Sequence, residues 1–372
     1  MTFARRLTTA MCVAVAACAA AATTGAVARA DLVDSVKTIK SRSDLSDFLV
    51  KKAATAAQKR DNERAIVLYQ ALVVARGPAS PEAGELAKVW TLAAQSQEAA
   101  RVWEEFAAAT ADAKAKTVAR AEVARLTQNP DPFRKPIVLP PLIVEAKLAF
   151  KAGRAAFAKK QFGDALVNFH MGYALAPDLP GFLRELGATY EKLDARDKKV
   201  DFYRAYLLRR PFGKNADEVR KELAKDKGSL GSLTLETSKA CEEVWVNRQP
   251  VPGKLPQNLT VAPGKYRAFC LSRQYEIGIF EEITVSAGQQ ATLKFTWAIV
   301  VNNLASPLGR IAIENPNVPG TLLDLGVSSP EIGVVLAADG RALRMVLKDD
   351  SGSRVEERSV RIRPGERFVV KW

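Results

Sequence analysis

Two hydrophobic periodicities divide this chain. From about Asp31 to Lys227 apolar positions recur at three- and four-residue spacing, and after Gly228 they alternate. The first pattern lines one face of a helix and the second lines one face of a strand. The helical part is interrupted, because Pro130, Pro132, Pro136, Pro140 and Pro141 fall close together and exclude a helix there. The spacing therefore predicts a helical block over 31–129, an extended proline-rich linker over 130–141 and a second helical block over 142–227. Within 228–297 the alternating runs Leu233/Leu235, Val244/Val246, Tyr266/Ala268/Cys270, Ile283/Val285 and Leu293/Phe295/Trp297 are separated by turn residues such as Ala262-Pro263-Gly264 and Ala287-Gly288. They predict a small antiparallel sandwich. Residues 298–372 read as a diverged second copy. Both segments carry a Glu pair, Glu281-Glu282 and Glu356-Glu357, and both end in a glycine turn and an apolar strand closing on tryptophan, Trp297 and Trp372. The expected class is α+β and multidomain, with helical solenoid blocks followed by one or two small antiparallel β-sandwich domains.

A longer period lies inside the helical part. Gly153 and Gly187, Phe169 and Tyr203, and Pro177 and Pro211 are each thirty-four residues apart, as are Ala65 and Ala99, and Tyr69 and Trp103. Leu186-Gly187 with Tyr190 resembles the L-G-x-x-Y of tetratricopeptide (TPR) repeats, and Ala165 with Phe169 resembles their A-x-x-x-F. The resemblance implies stacked helix pairs, with Gly153 and Gly187 at close helix contacts, Ala165 beneath the Phe169 plug, and Tyr190 and Tyr203 filling the equivalent places. It also implies a groove that binds a partner. Asp112 to Thr127 reads as a lone closing helix, and Asn215 to Glu218 as a capping box opening the last helix.

In the β region, Gly231 to Thr237, Val244-Trp245-Val246-Asn247, Gly253 with Pro256, and Leu259 with Ala262-Pro263-Gly264 and Tyr266 resemble the PEGA domain, a small β module of bacterial envelope proteins often joined to TPR arrays. The tetrapeptide that names that family is absent, and Ala240-Cys241-Glu242-Glu243 stands near its place.

The N-terminus adds a compartment. Arg5 and Arg6 precede an apolar run from Leu7 to Ala22, and Ala28-Arg29-Ala30 offers small residues where a signal peptidase reads them. Residues 1–30 read as a secretory signal, which places the chain in the periplasm or cell envelope of a Gram-negative bacterium. In a second reading Val15-Ala16-Ala17-Cys18 resembles a lipobox, whose cysteine would tether the protein to a membrane. Cys12 and Cys18 lie in the leader, so Cys241 and Cys270 remain in the mature chain. In an oxidising compartment these two are expected as a disulfide, the alternative being a pair of buried thiols.

Charge is spread unevenly. The total of +14 includes +3 from Arg5, Arg6 and Arg29, leaving +11 for the mature chain. By count, about +2 falls in 31–130, +7 in 131–227 and +1 in each β segment. Lys159, Lys160, Lys198, Lys199 and Arg204 are therefore candidates for an electrostatic docking face toward an acidic protein, with Lys51 and Lys52 in the near-neutral first block as the comparison. The plainer reading of such residues is a solvated exterior. Nucleic acid is not an expected partner, since no recognition motif accompanies the lysines.

Candidate chemistry is sparse. His170 is the single histidine, so this chain alone supplies no histidine metal triad or proton relay. No nucleophile elbow, phosphate loop or dinucleotide fingerprint occurs, and no cofactor is expected. The sequence thus points to a non-enzymatic envelope scaffold that binds a protein through its TPR groove, its β modules serving for anchoring or docking. The alternative is an outer-membrane lipoprotein assembly factor anchored through Cys18.

Overall fold

The computed structural model describes residues 42–128, 137–275, 277–302, 310–315, 321–326, 331–336, 340–349, 351 and 353–370. The leader with Cys12 and Cys18, linker residues 130–136 and Trp372 lie outside the described residues. Contacts divide the chain into two compact units, 1–199 and 200–372.

The first unit holds α1 (Arg42–Gln58), α2 (Asn62–Arg76), α3 (Pro81–Leu92), α4 (Ser96–Ala109), α5 (Ala113–Gln128), α6 (Ile143–Ala158), α7 (Phe162–Leu175) and α8 (Gly181–Lys192), with the start of α9 (Arg196–Arg209). Among the described residues one turn is used four times, joining α1 to α2, α3 to α4, α6 to α7 and α8 to α9. Arg60, Ala94, Lys160 and Asp194 take positive φ, between 52° and 60°. The following N–H donates five residues back, to the carbonyls of Ala56, Trp90, Ala156 and Tyr190, at 3.0 Å in every case. This is the Schellman ending, in which a left-handed residue lets the chain reverse while the last helix carbonyls stay paired. Arg60 and Ala94 are thirty-four apart, and so are Lys160 and Asp194, so the sequence period is the spacing of these turns. The position favours glycine, and none of the four is glycine. Ala94→Gly is accordingly expected to stabilise the unit by about 0.5–1 kcal/mol. An upward shift of the helical melting transition would show this, and a clear downward shift would mean that the turn is not left-handed.

Helix α2 is buried almost all round: Ala65 to Tyr69, Ala71, Leu72 and Ala75 are all in the interior. Two neighbours cannot cover such a helix, so a third wall is required. Helix α2 packs on α1 and α3, as expected of adjacent hairpins, and also on α7, while α1 touches α6. The expectation of two separate helical blocks is thus corrected. The stretches on either side of the prolines form one body, because α2 carries more apolar surface than its own hairpins can bury. Ionic ties mark the joints. Buried Glu145 on α6 is bound by Arg64 of α2. Glu82 on α3 receives Arg76 at 2.6 Å, and Glu185 on α8 receives Arg154 at 3.0 Å and Arg184 at 2.6 Å. A buried carboxylate is tolerable only with such partners.

The second unit holds the rest of α9, α10 (Lys214–Ala224) and fourteen strands among the described residues: β1 (Gly231–Thr237), β2 (Glu243–Val246), β3 (Gln249–Pro250), β4 (Gln257–Val261), β5 (Gly264–Ser272), β6 (Ile277–Val285), β7 (Gln290–Phe295), β8 (Trp297–Asn302), β9 (Arg310–Glu314), β10 (Leu322–Gly326), β11 (Glu331–Val335), β12 (Leu343–Lys348), β13 (Arg354–Val360) and β14 (Arg367–Val370). The end of α9 sits on the first β module. Leu208 and Phe212 pack against its core, and the Asn247 side-chain amide donates to the Leu208 carbonyl at 2.7 Å.

Strands β1 to β7 form two sheets, ordered β4-β1-β7 and β3-β2-β5-β6. Strands β8 to β14 form sheets ordered β11-β8-β14 and β10-β9-β12-β13, so adding seven to each label converts the first module into the second. The pairings are antiparallel with one exception in each module, β1 with β7 and β8 with β14, which run parallel. The expected purely antiparallel sandwich is corrected in this respect. First and last strands of a module can pair in parallel because the five strands between them supply a long connection. Gly288 and Gly365, both at positive φ, turn the chain into β7 and β14.

The two modules are not separate. Trp297 starts β8 and does not close β7, and β8 is buried on both faces. Trp297, Ile299 and Val301 enter the first module's core, and Ala298 and Val300 enter the second's. Its neighbours alternate in the same way, with Val335 and Val369 toward the first core and Val334 and Val370 toward the second. One three-stranded sheet therefore carries a core on each side, which is why Trp297 to Val301 reads as an unbroken apolar run.

Candidate functional site

Gly153 on α6 is buried, and a Cβ there would lie 2.5 Å from a ring carbon of Phe169 on α7. Phe169 and Ala165 are fully buried, and Gly187 and Tyr203 are buried too. Tyr190 is half-buried, with its hydroxyl 3.0 Å from Nε2 of His170. Burial, and secondarily the charge of Lys198, lowers the His170 pKa and favours the neutral imidazole, which packs against the phenol. The tightest contact was not marked by the repeat pattern. A Cβ on Gly172 would meet a Phe182 ring carbon at 2.2 Å. The available signal was a glycine inside a strongly helical run, which needs a packing reason.

The basic candidates separate. Lys159 and Lys160, in the turn between α6 and α7, and Lys198, on the first turn of α9, are exposed. Lys199 is buried, being 9 % exposed, and does not belong to a solvent-facing surface. Arg204 donates through Nε to the Ser229 carbonyl at 2.8 Å and through Nη2 to the Gly228 carbonyl at 3.3 Å, so it ties α9 to the loop before β1. Both are corrections to the expected docking face. A longer basic surface lies where the sequence was read as nearly neutral. Phe48, Lys51, Lys52, Thr55 and Lys59 line a cleft of about 590 Å³ along α1, joined by Arg64 from α2. Averaging charge over a hundred residues hid it, although positions 48, 51, 52, 55 and 59 share one helical face.

Cys241 and Cys270 are bonded, with Cα atoms 5.6 Å apart. The bond fixes the loop before β2 to the buried strand β5. The same loop is held by Trp297, whose indole N–H donates to the Lys239 carbonyl at 3.1 Å, and by Ser238, whose hydroxyl donates to the Trp297 carbonyl at 2.7 Å. Glu242 accepts from the Gln274 amide at 2.9 Å and the Ser272 hydroxyl at 3.1 Å, and these bonds hold its carboxyl below the usual range. Beside the loop is a cleft of about 570 Å³ lined by Cys241, Glu243, Trp245, Val251, Lys254 and Leu255. Trp245, Phe269 and Phe280 stand in register across β2, β5 and β6 on one sheet face, and Phe280 is 75 % exposed. Thiol labelling of denatured, unreduced protein lacking its leader is expected to find no free cysteine, and two labelled thiols would contradict the bond.

No family model matches this chain, and no curated protein matches it. Among solved structures, the crystal structure of MamA protein is similar at 16 % identity over 50 % of this chain and 96 % of its own, with a TM-score of 0.19. A second MamA structure, AMB-1 C2221, is similar at 13 % identity over 47 % of this chain and 98 % of its own, with a TM-score of 0.18. The Bacillus anthracis TIE protein is similar at 10 % identity over 38 % of this chain and 33 % of its own, with a TM-score of 0.15.

Proposed function

We propose that this protein is an exported, non-enzymatic scaffold of the bacterial envelope. Its TPR-like hairpins hold a protein partner, and its β modules, the first of which resembles the PEGA domain in its strand and turn residues, dock it to an envelope component. The observation that carries this reading is the hairpin turn repeated at thirty-four-residue spacing, a device for building extended side-chain surfaces. Export rests on residues 1–30 and agrees with the Cys241–Cys270 bond, which persists in oxidising compartments. Release at Asp31 is favoured over lipidation at Cys18. The mass of the mature N-terminus tests this directly, because a chain beginning at a lipid-modified Cys18 would support the anchored alternative.

The partner is expected to meet the exposed lysines Lys159, Lys160 and Lys198. Surface charges of this kind speed encounter and are screened by salt over about 8–10 Å. With a partner captured from envelope extracts, reversal of these three lysines to glutamate is expected to slow association and flatten its salt dependence. The comparison is Lys114→Glu with Arg120→Glu on α5, both exposed. Equal binding by the two sets would leave those lysines a solubilising surface only.

A further inference from the structure

The geometry points to a second docking surface on the first hairpin, the α1 cleft, whose occupant is an acidic amphipathic segment of a protein. Lys51 and Lys52 on α1, Lys59 in the turn just after it and Arg64 on α2 bring four cations to one cleft, while Phe48 gives it an apolar end. The Lys52 ammonium lies 5.3 Å from the centre of the Phe48 ring, so ring and charge form one continuous patch. The acid in the lining, Asp61, is occupied locally: its carboxylate accepts from the Arg64 backbone N–H at 3.3 Å and caps α2. Arg64 also holds buried Glu145, so the cleft wall is fixed from below by an ion pair. Lys51 and Lys59 are exposed and eight residues apart, and because the Lys59 N–H still donates to the Thr55 carbonyl at 3.1 Å the helical rise reaches it, about 12 Å along the axis. That distance is about two turns of an incoming helix, whose carboxylates would repeat at that pitch, with an apolar residue beyond the Lys51 end for Phe48. Charge complementarity selects an acidic segment, and the apolar end selects an amphipathic one over a uniformly charged tail.

This inference deepens the scaffold reading and rests on it, but uses different residues from Lys159, Lys160 and Lys198. The probe is a fluorescein-labelled helical peptide of repeated Glu-Glu-Leu-Leu, followed by anisotropy against the full mature chain. Saturable binding that weakens as salt rises is expected. Lys51→Glu with Lys59→Glu should lower affinity roughly tenfold or more, and Phe48→Ala by a few-fold, with the helical circular dichroism unchanged. Lys159→Glu with Lys160→Glu should leave peptide affinity within about twofold. Failure of the intact chain to bind, or equal binding of a Lys-Lys-Leu-Leu peptide, overturns the proposal. So does equal weakening by the two lysine pairs. Phosphatidylglycerol-containing vesicles form the last arm: binding to vesicles but not to the peptide, lost in Lys51→Glu with Lys59→Glu, would assign the cleft to a membrane surface instead. If the peptide fails while a captured partner still depends on Lys159, Lys160 and Lys198, this inference falls and the scaffold reading stands.

Discussion

Gly172→Ala is expected to destabilise the helical unit by about 1–2 kcal/mol, although alanine is the better helix former. The methyl group would lie 2.2 Å from one Phe182 ring carbon and 2.5 Å from another, and Phe182 is 1 % exposed with nowhere to retreat. Overpacking of a filled core costs roughly 1–3 kcal/mol, and the helix propensity gained from glycine to alanine returns at most about 1. Leucine at the same position should be worse still. Gly153→Ala repeats the experiment one layer away, with Phe169 as the obstacle at 2.5 Å. The mechanism makes its own check. Phe182→Leu should cost stability alone yet rescue part of the Gly172→Ala loss, a coupling that additive effects would not give. Urea denaturation of the four proteins measures it. Perfect additivity would mean that the glycine serves some need other than room for the ring.

Trp297→Ala is expected to cost about 3–5 kcal/mol and to loosen both β modules together. The side chain is fully buried in the first core, its indole N–H anchors the Lys239 carbonyl, and its backbone starts the strand on which both cores rest. Hydrogen exchange should show protection falling in β5, on one side of the shared sheet, and in β9 and β12, on the other. Full protection of β9 and β12 in the mutant would mean that the modules are independent after all. The disulfide obeys the same logic. Cys270→Ser should weaken strands beyond 228–297, not that segment alone, because β5 and β8 contribute to one core.

Much of this architecture was written locally. The change of period at Gly228 places β1 at Gly231, and the thirty-four-residue spacing is that of the hairpin turns, because both are set by neighbouring residues. The Glu pairs at 281 and 356 fall in β6 and β13, equivalent strands of the two modules. What escaped depends on contacts far apart in sequence. The union of α2 with α7 follows from the all-round apolar surface of α2, but nothing local names the helix that covers it. Alternation reaches Trp297 from β7, so the local pattern makes it the end of one domain. Only the packing of β11 and β14 shows that it begins the next sheet. Among the basic residues, the sequence gives charge but not its use: Arg154 and Arg204 are engaged in internal contacts, and Lys199 is buried. The Phe48–Lys59 face shared a block with enough acids elsewhere to look neutral.

The central claim, that the helical unit presents docking surfaces to a protein partner, is tested most directly by site-specific photo-crosslinking in the living host. A photoreactive residue would be placed in turn at Lys51, Lys159 and Lys198, and at Lys114 on α5 as a control. The account predicts discrete protein adducts in the envelope fraction from the first three positions, and none above background from the fourth. Absence of adducts from all three, or the same adducts from Lys114, would contradict it.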